Sequence, residues 1–280
     1  MIKITADSTC DLSPSIIKDM DITLVPLYIL AGEKTYRDGV DFTPADVFHF
    51  AETEGKLCKT SSINAGEYKQ LFAELSPQFE AVIHINISLG FSVCYQNAAL
   101  AAREFSNVYV VDSQNLSTGS GHMVYDAALM ARDGLAAPDI CRALEAEAPL
   151  IDASFVIDRL DYLYKGGRCS GLEAVGARLL NIKPCIEVFD GKMRVGKKYR
   201  GSFERCLEKY VEDRLSQSAD IDTSRLFITH TTCSEETVAR VRALAARFVT
   251  FGEVIETRAG CTISSHCGPK TLGILYKRKG

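Results

Sequence analysis

Three short polar clusters in this chain carry hydroxyls where a strand is expected to give way to a helix. ADSTCDLS spans residues 6–13, KTSSINAGEY residues 59–68 and SLGFSVCYQ residues 88–96. Junctions of this kind are where open α/β sheets build ligand sites. In the first, Asp7, Ser8 and Thr9 can meet a ligand, or close a turn through side-chain-to-backbone hydrogen bonds. In the second, Thr60, Ser61 and Ser62 precede Asn64, the expected helix cap. In the third, Ser92 stands at the expected N-cap, beside unpaired N–H groups and a helix dipole that favour an anion such as a carboxylate. A serine there is also accounted for as an ordinary cap.

The second half adds cations and one histidine. YLYKGGRCSG sets Lys165 and Arg168 around a glycine pair, which suits either a solvated turn or a phosphate or acidic partner. Lys183, Arg194, Lys197, Lys198 and Arg200 form a basic stretch, a pattern that usually marks a solvated face. SSHCGPK places His266 in a Gly/Pro loop, whereas His49, His84, His122 and His230 fall inside apolar elements and read as structural. No G-x-S-x-G elbow, Walker loop, G-x-G-x-x-G or H-E-x-x-H occurs. The ten cysteines include no C-x-x-C pair and no histidine at zinc-finger spacing, so they read as buried thiols.

The elements that must position these groups alternate strand and helix through the first half, the signature of a largely parallel sheet. Strands are expected at 2–6, 23–30, 81–87 and 108–111. Helices are expected from Ser13-Pro14 to about 20, from Thr43-Pro44 to Gly55, and at 65–75, 92–105, 119–132 and 139–147. Later the texture changes: CIEVFDGKMRVGKKY reads as a hairpin turning at Asp190-Gly191. Helices at 203–216 and 235–248, a strand at 226–230 and a closing TLGILYKR follow. The expected fold is α/β with two domains, a mostly parallel α/β sheet domain over 1–160 and an α+β domain over 161–280, with a ligand between them.

Composition bounds the function. With 280 residues, 46% apolar and 24% charged, the chain is large enough for a core without disulfides or metals. A net charge of −4 argues against a broad nucleic-acid footprint. MIKITADST lacks the basic and apolar regions of a signal peptide, and no apolar run reaches membrane-spanning length, so the expectation is a cytoplasmic protein without integral membrane association.

Taken in order, the clusters resemble the DegV family. The resemblance runs from ADSTCDLS through YRDGVDFTPADVF, KTSSINAGEY, SLGFSVCYQNA, VVDSQNLSTGSG, LDYLYKGGR and LLNIKPCIEVFDGK to HCGPKTLGILY. It implies a bacterial protein that is not catalytic alone. Such a protein encloses one long-chain fatty acid, needs no other cofactor, and presents the carboxylate to a separate ATP-dependent kinase subunit for acyl-phosphate formation in phospholipid synthesis. It further implies that Thr60 or Ser61, Ser92 and His266 hold the carboxylate, and that Arg168 and Arg200 contact the kinase. Burying about 0.8 kcal/mol per methylene, a 16-carbon tail supplies on the order of 11 kcal/mol gross, so the tail dominates affinity and the polar groups set orientation. The chain departs from the family pattern at Val93, which stands for a glycine in Gly-Leu-Ser-Gly-Thr, and at Ser62-Ile63 and Lys270. The alternatives are a Ser92/His266 acyl hydrolase, which lacks an acid and an elbow, and a lipid-responsive regulatory module.

Overall fold

A computed structural model describes residues 1–170, 182–217 and 219–280. The end of YLYKGGRCSG at 171 and the start of LLNIKPCIEVFDGK at 179–181 lie outside the described residues. Three sheets organise the rest. The first is parallel throughout, in the order Thr23–Val25, Ile2–Asp7, Ala81–Asn86, Val108–Asp112. Helix Ser117–Arg132 contributes Met123, Val124, Ala127 and Ala128 to the core that covers it. Helix Ala65–Leu75 buries Tyr68 and Phe72 against Cys94 and Ala98 of helix Cys94–Ala102. The expected caps form: Ser13, Thr43 and Asn64 each accept an N–H three residues on, the latter two as full capping boxes.

The strand expected at 23–30 is two strands. Pro26 interrupts it, because proline has no N–H to give a ladder. Thr23–Val25 stays in the parallel sheet, while Tyr28–Ala31 becomes the centre of a three-stranded antiparallel sheet between Lys34–Arg37 and Lys59–Ser61. KTSS is therefore largely a short strand, not a loop.

The third sheet has seven strands, in the order Glu253–Arg258, Ile221–His230, Thr271–Arg278, Ile151–Ile157, Ile182–Phe189, Lys192–Arg200, Cys169–Ser170. Its pairings are antiparallel except at the two ends of that order, which makes it the mixed sheet expected of the second half. Ile151–Ile157 sits mid-sheet although it precedes the expected 160/161 boundary. Asp190 and Gly191 have φ of 50° and 68°, the double positive-φ turn that a tight hairpin requires. Gly191 O accepts from the Ser88 hydroxyl at 2.8 Å, docking this hairpin on the 88–93 loop of the first half.

Two histidine readings need correction. His266 is on helix Cys261–Cys267, which ends at Gly268, and not in a loop. His49 is exposed on helix Pro44–Glu54, whereas His84, His122 and His230 are buried as expected.

Candidate functional site

A cavity of about 410 Å³ opens between the first-half loops and elements of the second half. That size lies within the range of about 300–1,000 Å³ usual for ligand clefts. The strand Lys59–Ser61 brings Thr60 and Ser61 to it, the 88–93 loop brings Ser92, and helix Cys261–Cys267 brings Thr262 and His266. Arg168 also lines it, while Leu27, Ile87, Leu116, Met193 and Ile263 supply an apolar wall. A void of about 20 Å³ shares Leu116, Ile263 and Cys267 with this cavity and reaches Phe155 and Leu275 behind them.

Thr60 Oγ1 lies 2.8 Å from His266 Nε2. Side chains alternate along a strand, so adjacent Thr60 and Ser61 point to opposite faces, and it is Thr60 that meets the histidine. Gly166 packs on the other ring nitrogen: a Cβ there would fall 2.5 Å from His266 Nδ1, which has no hydrogen-bond partner. Burial, and then the charge of Arg168, push the imidazole down to about 4, so it is neutral at neutral pH. Arg168 is exposed and donates to Gly166 O at 2.6 Å, which keeps its guanidinium near that ring.

Ser92 is not the helix cap. Ser88 O accepts from the N–H groups of Phe91 at 2.9 Å and Ser92 at 3.2 Å, and this turn delays the helix to Cys94, with Val93 as its N-cap. The Ser92 hydroxyl instead accepts from Cys94 N–H at 3.2 Å and donates to Cys94 Sγ at 3.1 Å. Val93 has φ −85°, which any side chain can adopt, so this position does not require the family glycine. Ser92 and His266 therefore engage different partners, Cys94 and Thr60, and are not paired as nucleophile and base.

The ADST cluster works behind the site. Asp7 Oδ2 accepts from Ile87 N–H at 3.0 Å, and Asp7 Oδ1 accepts from the Tyr68 hydroxyl at 2.7 Å. Ser8 Oγ accepts from Leu27 N–H at 3.2 Å. These contacts tie the first-sheet loops together across distant parts of the chain and do not close the local turn expected of Asp7, Ser8 and Thr9; Thr9 Oγ1 has no hydrogen-bond partner among the described residues. The basic stretch is partly neutralised, Lys183 by Asp158, Arg194 by Glu187 and Lys197 by Asp213, while Lys198 and Arg200 stay exposed. Arg200 ends strand Lys192–Arg200 and does not line the cavity. Among the described residues no group of three or more His, Cys, Asp or Glu is placed to hold a metal, and no helix is long and apolar enough to cross a membrane. Reasoning from the residues missed Thr262, whose hydroxyl looks ordinary in sequence, and the apolar wall, which reads there as core.

The family model described as an uncharacterised protein of the DegV family matches residues 1–279. A DegV domain-containing protein of Caldanaerobacter subterraneus subsp. tengcongensis is 31% identical, covering 99% of each chain. One from Deinococcus radiodurans is 32% identical over 98% of this chain and 97% of its own. Among solved structures, a fatty-acid-binding DegV family protein from Thermus thermophilus is similar with a TM-score of 0.91 at 28% identity, covering 99% of both chains. A stearic-acid-binding protein from Eubacterium ventriosum is similar with a TM-score of 0.83 at 26% identity, covering 100% of this chain and 99% of that one.

Proposed function

Because the chain belongs to the DegV family, we propose that it binds one long-chain fatty acid in the cavity between its two halves and presents the carboxylate to a separate ATP-dependent kinase subunit. The observation that carries this reading is the composition of the cavity. The lining combines the hydroxyls of Thr60, Ser61 and Ser92 and the neutral His266 with Leu27, Leu116, Met193 and Ile263. That combination suits a charged head and a long apolar tail.

The tail supplies most of the affinity, at about 0.8 kcal/mol per buried methylene. The head needs hydrogen bonds, since an unpaired buried carboxylate is costly. His266 Nδ1 has no hydrogen-bond partner among the described residues to receive a proton, so in this reading the imidazole proton sits on Nε2, facing Thr60 Oγ1. Nε2–H then donates to Thr60 Oγ1 and leaves the threonine O–H free for the carboxylate. The Ser92 proton rests on Cys94 Sγ, a weak acceptor that a carboxylate displaces readily. Donors of this kind orient the carboxylate without neutralising it, so one oxygen keeps the electron pair that attacks the γ-phosphorus of ATP on the partner. The new C–O–P linkage forms as the P–O bond to ADP breaks. Arg168 at the mouth and Arg200 on the surface are the proposed kinase contacts.

The test is to extract lipid from denatured purified protein and identify it by mass spectrometry. One equivalent of a long-chain acid is expected, as purified or after incubation with one. None under either condition overturns the reading. With the kinase subunit and ATP added, acyl phosphate is expected only when both proteins are present.

A further inference from the structure

Helix Cys261–Cys267 is seven residues long and carries Thr262, Ile263, His266 and Cys267 to the cavity. A helix this short does not hold itself, so its placement depends on contacts from outside. Two buried aspartates from the first half receive its opening N–H groups. Gly260 N–H donates to Asp11 Oδ1 at 2.8 Å and Cys261 N–H donates to Asp38 Oδ1 at 2.8 Å. Thr262 donates twice to Asp38 Oδ2, from N–H at 3.1 Å and from its hydroxyl at 2.6 Å. Each carboxylate is braced in turn: the Ser8 hydroxyl donates to Asp38 Oδ2 at 3.1 Å, and the Ser117 hydroxyl to Asp11 Oδ2 at 2.5 Å. The bonds from Cys261 and Thr262 to the Asp38 carboxylate at the helix start gain from both charge and dipole.

The two ends of this helix converge on one small sheet. Asp38 directly follows strand Lys34–Arg37, and Thr60 lies in strand Lys59–Ser61; both strands flank Tyr28–Ala31. The same sheet thus holds the helix start through Asp38 and meets its far end through the Thr60–His266 bond.

We infer that Asp38, with Asp11 as a second brace, is a positioning residue of the carboxylate site, setting the helix register in which His266 Nε2 meets Thr60 Oγ1. Asp38 does not line the cavity. Its effect on ligand passes through His266, and the inference rests on the fatty-acid reading of that cavity.

The test combines His266 imidazole ¹⁵N resonances with a double-mutant cycle on palmitate affinity in the full chain. Asp38→Asn keeps one acceptor oxygen but turns an NH₂ toward N–H donors. It is expected to shift the His266 resonances and weaken palmitate roughly ten-fold, the scale of one lost charge-assisted bond. In a His266→Gln background the same substitution is expected to cost less than about two-fold, because residues acting through one another are non-additive. Unmoved resonances, or an equal loss in both backgrounds, overturn the inference. Should Asp38→Asn fail to fold, Ser8→Ala removes one donor to Asp38, together with the acceptor for Leu27 N–H, and should move the resonances in the same direction; no movement there overturns it. Wild-type protein that binds no palmitate sinks the fatty-acid reading instead, while the resonances still report on Asp38.

Discussion

Replacing Thr60 by valine keeps the β-branched shape of the strand and deletes one hydroxyl. In the proposed complex that hydroxyl accepts from His266 Nε2, 2.8 Å away, and donates to the carboxylate. A hydrogen bond to a charged group is worth about 1.5–3 kcal/mol, and the stranded histidine donor adds to the loss. A total of about 2–3 kcal/mol corresponds to roughly 25–150-fold in affinity for palmitate. Hexadecanol has the same tail and a neutral head, so its bond to Thr60 is worth only about 0.5–1.5 kcal/mol, less than roughly fifteen-fold. Displacement of a fluorescent fatty acid by each ligand reads both constants. The acid-over-alcohol preference should fall clearly in Thr60→Val while overall retention survives, since the tail's gross contribution is on the order of 11 kcal/mol. Equal losses for both ligands, or an unchanged acid affinity, would refute the division between head and tail.

Arg168→Ala removes a cation that helps hold the His266 imidazole down near 4, so an NMR titration should show its pKa rise. Asp11 is pushed by burial up to about 8 from an ordinary 3.8, against bonds from Ser117 and Gly260 that pull it down. Its folded value exceeds its unfolded one, so the stability it contributes is present below about pH 4 and lost as pH rises through 8. Calorimetric Tm should therefore decline less between pH 6 and 9 in Asp11→Asn, with a residual slope from Glu147, which burial and Asp126 also push up to about 8. Gly166→Ala places a methyl within 2.5 Å of His266 Nδ1 and should weaken palmitate through a displaced ring, visible as shifted His266 resonances. Phe155→Leu enlarges the void behind Leu116 and Ile263 and should move preference toward longer acids in a competition assay, at a stability cost of about 0.5–3 kcal/mol.

Local rules were legible where local chemistry decides. Ser13, Thr43 and Asn64 cap the helices their patterns foretell, and Asp190-Gly191 turns the hairpin it signals. Tertiary context decides elsewhere. The apolar run at 23–30 hides a change of sheet that only Pro26 announces, and in IDASFVI at Ile151–Ile157 the polar Asp152 and Ser154 break the apolar run that would mark a buried mid-sheet strand. Ser92 loses its cap role to a turn closed by backbone bonds to Ser88 O, which no side-chain pattern records. The Thr60–His266 contact joins residues 206 positions apart, so the residues alone left each half as an unremarkable hydroxyl or histidine. The family resemblance named both. Asp38 lies within YRDGVDFTPADVF, yet nothing in that stretch marks it, because the groups it holds, Cys261 N–H and the Thr262 N–H and hydroxyl, lie far along the chain.

The most direct measurement is a crystal structure of the protein with palmitate bound. The account expects the carboxylate within hydrogen-bonding distance of Thr60 Oγ1 and Ser92 Oγ, with the tail running past Leu116 and Ile263 toward Phe155. Palmitate seated with its methyl end at Thr60 and His266, or seated outside this cavity, would contradict it.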